Sequence, residues 1–243
     1  PRLARVFAAA NIPVMEGYGL TETSPVIAVN DIRNFGFKIG TVGRVIDNLE
    51  VKIAEDGEIL CKGSNIMMGY YKDEEKTNEA IIDGYFYTGD IGAIDNEGFL
   101  KITDRKKEMF KTSGGKYIAP QIIENSMKQS IYISEIMVIG AGEKMPAAFV
   151  QLDFDIVRDY LNKKNIKTEL DNVSITKCPE VIALIQSEID RINERFGNWE
   201  KIKKFELTPD VWSIDGGHLT PTLKLKRKVV MEKYQDLYNK IYE

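Results

Sequence analysis

A chain of 243 residues with 43% apolar content is long enough for one or two domains with ordinary buried cores. Its 33 basic and 37 acidic side chains give a net charge of -4, which excludes a global positive field toward nucleic acid or anionic lipid. No apolar run reaches the roughly 18 residues that cross a bilayer, and Cys61 and Cys178 stand too far apart for a metal-type pair, so two reduced, buried thiols are expected.

Leu3, Val6, Phe7 and Ala10 recur at helical spacing, and Asn11 opens the apolar run Ile12-Pro13-Val14-Met15, so a helix is predicted to feed a strand. From Gly40 to Gly63 the text is β-like: Val42, Val45, Leu49, Val51 and Ile53 precede Ile59-Leu60-Cys61, with turns at Asp47-Asn48 and Asp56-Gly57. A meander or small barrel follows. Strands over Ile91–Ile94 and Phe99–Thr103 flank the turn Asp95-Asn96-Glu97-Gly98, which predicts a hairpin. After Asp104-Arg105-Lys106-Lys107 the pattern becomes alternating, with a helix over Gln121–Lys128 and strands over Ile136–Ile139 and Ala147–Leu152. A long helix from Pro179 places Ile182, Ile185, Ile189, Ile192 and Phe196 on one face, and a final helix from about Val229 carries Val230, Tyr234, Leu237 and Ile241.

Four segments combine glycine with charge or hydroxyl. In Glu16-Gly17-Tyr18-Gly19-Leu20-Thr21-Glu22-Thr23-Ser24-Pro25, two glycines let backbone approach a ligand beside a ring, an alcohol and an acid. In Tyr85-Phe86-Tyr87-Thr88-Gly89-Asp90, the carboxylate suits a bidentate bond to two sugar hydroxyls. The run from Asp104 to Pro120 carries Arg105, Lys106, Lys107, Lys111 and the pair Gly114-Gly115 at a domain boundary, which suits a hinge that handles phosphates. Gly216-Gly217-His218-Leu219-Thr220-Pro221-Thr222-Leu223-Lys224-Leu225-Lys226-Arg227-Lys228 is a glycine-bearing loop ending in cations. Taken singly, each has an ordinary reading as a turn, a solvated linker or a helix start; His218, the sole histidine, reads as a loop residue.

Taken in order, the segments resemble the adenylate-forming superfamily of AMP-forming acyl-CoA synthetases, in particular its long-chain fatty-acid branch. Tyr18-Gly19-Leu20-Thr21-Glu22 is similar to the adenine and Mg²⁺ motif, Tyr87-Thr88-Gly89-Asp90 to the ribose motif, Asp104-Arg105-Lys106-Lys107-Glu108 to the hinge, and Leu219-Thr220-Pro221-Thr222-Leu223-Lys224 to the segment of the catalytic lysine. Gly69-Tyr70-Tyr71 followed by Thr77 is similar to the linker between the first two. The long-chain branch is suggested by Thr112-Ser113-Gly114-Gly115-Lys116, by the lysine segment, and by the stretch Asp153 to Trp199, which enlarges the C-terminal domain.

The resemblance implies an α+β chain: residues 1–103 are the β-rich end of a large nucleotide-binding domain, 104–107 the hinge and 108–243 a smaller mixed α/β C-terminal lid. It implies a ligase that converts a fatty acid, ATP and CoA to acyl-CoA, AMP and pyrophosphate through an acyl-adenylate. Gly17, Tyr18, Gly19, Thr21, Asp90 and Arg105 would bind ATP or AMP, Glu22 would hold Mg²⁺, Lys224 with Thr21 and Glu22 would be catalytic, Asp104 and Lys107 would form the hinge, and Gly114, Gly115 and Lys111 would meet CoA. There are two departures. One extra residue separates Lys111 from Gly114, and Leu223 stands where many relatives have glycine, which leaves Lys226 as the less favoured lysine.

The chain opens on Pro1, and the family's Thr/Ser/Gly-rich phosphate loop and upstream subdomains do not occur in it. A C-terminal fragment is therefore expected, inactive alone and partnered by the missing N-terminal part of the same protein. The expected location is cytoplasmic, with no nucleic acid partner and no transmembrane segment; peripheral contact with the inner membrane stays open. Alternatives are a ligase for a medium-chain or aryl acid, an adenylation domain serving a carrier protein, and a non-enzymatic interaction module using Lys224 to Lys228.

Overall fold

A computed structural model describes residues 2–33, 36–166, 169 and 171–243. Two compact units divide the chain between Glu108 and Met109, so Asp104 to Lys107 belong to the first unit.

In the first unit α1 (Arg2–Ala9) leads through an irregular stretch to a small antiparallel sheet of β1 (Gly17–Gly19), β2 (Val26–Val29) and β3 (Arg44–Val45). The predicted strand at Ile12–Met15 does not form. Pro13 has no N-H to give a ladder, pairing starts only at Gly17 opposite Val29, and Leu3, Val6, Ile12 and Met15 are exposed. A second, open sheet runs β4 (Leu49–Ile53), β5 (Glu58–Gly63), β7 (Tyr85–Ile94) and β6 (Ile81–Ile82), with β8 (Leu100–Arg105) pairing β7 and α2 (Glu74–Ala80) preceding β6. This meets the meander reading and not the barrel. The predicted hairpin forms with Gly98 at φ 83°, and β7 reaches further back than expected, to take in Thr88-Gly89-Asp90. Ile27, Ile59, Cys61 and Leu100 fill the core, and burial pushes the Cys61 thiol up to about 11.

The second unit opens with a two-residue ladder, β9 (Phe110–Lys111) with β10 (Tyr117–Ile118), followed by α3 (Pro120–Met127). Its main sheet is β11 (Ile133–Ile139), β12 (Ala147–Leu152) and β13 (Lys204–Thr208). The first pair is antiparallel and the second parallel, which requires a crossover, here α4 (Phe154–Lys163), α5 (Asn172–Lys177) and α6 (Pro179–Asn193). Every residue of β12 is buried, because both faces are covered. Ile136, Val138, Ala148 and Val150 pack on one side with α3, α4 and α6; Met137, Ile139, Ala147 and Phe149 pack on the other with Trp212, Val230, Tyr234 and Ile241.

Two helix readings need correction. On α6 the buried stripe is Val181, Ile185, Ile189 and Ile192, while Ile182 is 41% exposed and Phe196 lies beyond the helix. The final helix is two, α7 (Arg227–Lys233) and α8 (Gln235–Tyr242), with Tyr234 off helical geometry between them and Leu237 only partly buried. The Tyr234 hydroxyl donates to Asp210 at 2.7 Å.

Candidate functional site

The turn after β1 is built around Thr23, which is fully buried. Leu20 N donates to Thr23 Oγ1 at 2.9 Å, and that hydroxyl donates to Pro25 O at 2.7 Å. Thr21 is left exposed at the start of a single helical turn and Glu22 half-buried. Gly19 is required sterically, since a Cβ there would lie 1.6 Å from Pro25 O, whereas Gly17 has ordinary clearance. Gly19→Ala is therefore expected to cost about 1–3 kcal/mol through a forced backbone shift, read from the urea midpoint.

Tyr18, Asp90 and Arg105 meet. A β-bulge between Ile91 and Gly92 shifts by one residue the β7–β8 register set at the Asp95–Gly98 turn, and so puts Asp90 directly opposite Arg105. Asp90 is 4% exposed; its Oδ1 lies 3.0 Å from Arg105 Nε and its Oδ2 accepts from Tyr18 Oη at 2.7 Å. Burial pushes the Tyr18 phenol up, so it stays a donor. Gly89, at φ 71°, makes the local kink, and Thr88 Oγ1 accepts from Asp90 N at 3.1 Å.

Arg105 connects this trio to a cleft of about 450 Å³, whose walls include Glu22, Tyr70, Thr88, Gly89, Lys106 and Lys107. Glu22 Oε1 accepts from Tyr70 Oη at 3.0 Å. Among the described residues no group of three His, Cys, Asp or Glu side chains is placed to hold a metal ion, and Glu22 shares the cleft wall with Glu58 and Glu79.

Sequence reading missed Glu58, 4% exposed, as the brace of this region. It accepts from Gly89 N at 2.8 Å and lies 2.6 Å from Lys106 Nζ, which also reaches Asp56 at 2.7 Å; those two acids hold the Lys106 ammonium well above its usual range. Lys106 N donates to Gly89 O at 2.8 Å, so the segment after β8 is tied to the kink before Asp90. The pairing of β7 with both β5 and β8 brings these residues together, which is why local motif reading passed over them. Asp104 is buried and accepts from Arg105 N at 2.7 Å; Lys107 is exposed.

In the second unit Gly114 and Gly115 cap an exposed turn between β9 and β10, with Gly115 at φ 74° and its N donating to Thr112 O at 2.9 Å. Lys111 Nζ sits 4.5 Å from the Tyr117 ring. Lys224 is exposed near the tip of a tight loop in which Leu219 bridges Leu225, and its ammonium has no ion pair within 4.0 Å among the described residues. His218 is in a loop, as read, but is 2% exposed.

No helix among the described residues is long and apolar enough to cross a membrane. Two family descriptions match: AMP-binding enzyme over residues 1–71 and AMP-binding enzyme C-terminal domain over residues 108–243. The long-chain-fatty-acid--CoA ligase FadD15 of Mycobacterium bovis is 38% identical over 244 residues, covering 98% of this chain and 40% of that protein. The long-chain-fatty-acid--CoA ligase ACSBG2 of Gallus gallus is 34% identical over 97% of this chain and 34% of its own length. O-succinylbenzoate coenzyme A synthetase of Bacillus subtilis, solved with ATP and magnesium ion, superposes with a TM-score of 0.68 at 25% identity over 93% of this chain and 43% of that one. The chain thus spans 40% or less of the length of these two curated relatives. With the C-terminal domain description covering more than half of its residues, this chain belongs to the AMP-binding enzyme family.

Proposed function

We propose that this chain supplies the nucleotide grip and the lid of a long-chain fatty acid-CoA ligase, which joins a fatty acid to CoA at the expense of ATP. The observation that carries the reading is the meeting of Tyr18, Asp90 and Arg105 beside a cleft walled by Glu22. Asp90, held by a phenol on one oxygen and a guanidinium on the other, keeps lone pairs for the two ribose hydroxyls. The half-buried Tyr18 ring offers a stacking face for adenine. Thr21 is exposed to donate to the α-phosphate.

In the first step the fatty carboxylate attacks the α-phosphorus, forming acyl-AMP and releasing pyrophosphate; in the second the CoA sulfur attacks the acyl carbon and AMP leaves. Charge grows on the phosphate oxygens during the first attack. The exposed Lys224 ammonium stabilises that charge more in the transition state than in the ground state. Mg²⁺, held through Glu22, would supply further neutralisation of phosphate charge. For the second step the lid turns about Asp104 and Lys107, and the side-chain-free backbone at Gly114 and Gly115, with Lys111 beside it, admits the pantetheine of CoA. The bracing of Lys106 by Glu58 and Asp56 makes a fixed base for that pivot.

The test is acyl-CoA formation by the complete translation product of the gene encoding this chain, given ATP, CoA and palmitate. Activity on palmitate, with none from the 243-residue chain by itself, is expected. Turnover confined to medium-chain or aryl acids would overturn the long-chain assignment, and absence of adenylation with any acid would overturn the ligase.

A further inference from the structure

We propose that His218 is the positioning residue for Lys224, setting the base from which the lysine loop projects. This rests on Lys224 being the adenylating lysine. The loop itself is stiff: Thr220 N donates to Lys224 O at 2.8 Å, Leu223 N to Thr220 O at 2.8 Å, and Lys224 N to Thr220 Oγ1 at 3.0 Å. Its direction is therefore decided where it leaves the domain. There His218 O accepts from Lys226 N at 2.8 Å, and His218 N and Leu219 N both donate to Ser213 O at 3.1 Å. On the far side of the loop Arg227 Nη2 reaches Glu124 at 2.7 Å, which anchors the start of α7.

The imidazole holds this crossing in place. It lies nearly parallel to the Trp212 ring, with an interplanar angle of 14° and centroids 6.3 Å apart, and fills the space beside Gly216, where a Cβ would fall 2.7 Å from Nδ1. Lys233 Nζ of α7 faces Nε2 at 3.0 Å, and Ser213 N faces Nδ1 at 3.5 Å. Lys233 is 3.1 Å from Asp210, which also accepts from Tyr234 Oη; that hydroxyl in turn accepts from Trp212 Nε1 at 3.2 Å. The Lys233 ammonium has only donors, so the ring belongs there neutral, with its one accepting nitrogen at Nε2; a protonated ring would set two cations 3.0 Å apart. Burial and the Lys233 charge hold its pKa below the ordinary value, against the smaller opposing pull of Asp210. The clamp is therefore fully present above the ordinary imidazole pKa of about 6.5 and is lost as pH falls from there through the lower folded value.

The experiment compares His218→Phe, which keeps a flat ring against Trp212 but removes both nitrogens, with Lys224→Ala in the complete translation product. Adenylation is read as fatty-acid-dependent ATP–pyrophosphate exchange, and thioester formation from preformed acyl-AMP and CoA. His218→Phe is expected to lower exchange at neutral pH about tenfold, as a misplaced group does, to leave the thioester step unchanged, and to flatten the acid limb of the exchange profile. Wild-type exchange with an unaltered acid limb, or an equal fall in both half-reactions, overturns the proposal. Should the variant not fold, amide protection factors of Lys224 and Lys226 in the wild-type protein decide: about a tenfold loss below pH 6.5 is expected, and constant protection refutes it. Undiminished exchange in Lys224→Ala refutes the lysine assignment instead.

Discussion

Replacing Lys224 with alanine in the complete translation product is expected to cut fatty-acid-dependent ATP–pyrophosphate exchange by about 10²–10³-fold, the effect of deleting one preorganised donor to developing charge. Thioester formation from preformed acyl-AMP should change by less than about threefold, because no pentavalent phosphate forms in that step. The split matters more than the size of the loss: a variant that merely unfolded part of the chain would lower both rates together. Lys226→Ala is the control. The contact that places Lys226 is its backbone N-H to His218 O, which truncation at Cβ leaves in place, and its exposed side chain stands two residues beyond the tip. Exchange in that variant should stay close to wild type; equal losses in both would point to a diffuse basic surface.

Replacing Asp90 with alanine should weaken AMP binding about 100-fold or more, measured by calorimetric titration. Hydrogen bonds to a charged group contribute about 1.5–3 kcal/mol each, and this carboxylate is proposed to accept two from ribose. Truncation also strips partners from the Tyr18 hydroxyl and Arg105. Arg105→Ala should do less, because its side chain is 53% exposed and water can replace it. The order Asp90 above Arg105 is the informative result.

How far the sequence carried this reading differs by element. The Asp95–Gly98 turn was legible, because local turn chemistry fixes it, whereas the β-bulge that brings Asp90 opposite Arg105 was not. The stripe on α6 was half legible: Ile185, Ile189 and Ile192 serve equally with Val181 or Ile182, and only the layer facing the helix chooses Val181. The break at Tyr234 was hidden because no proline or glycine marks it in the sequence. His218 is a loop residue as read, but its burial was not legible, because Trp212 stacks on its ring and Lys233 meets its edge only in the fold. Glu58 carries no motif at all, and its role exists only through the pairing of β5 with β7.

The central claim is that a nucleotide is gripped where Tyr18, Asp90 and Arg105 converge, with Lys224 acting on chemistry and not on binding. Titrating AMP into the wild-type, Asp90→Ala and Lys224→Ala forms of the complete translation product tests it most directly. Binding lost in Asp90→Ala and kept in Lys224→Ala is the predicted result; equal affinity in all three forms, or binding that depends on Lys224 alone, would contradict it.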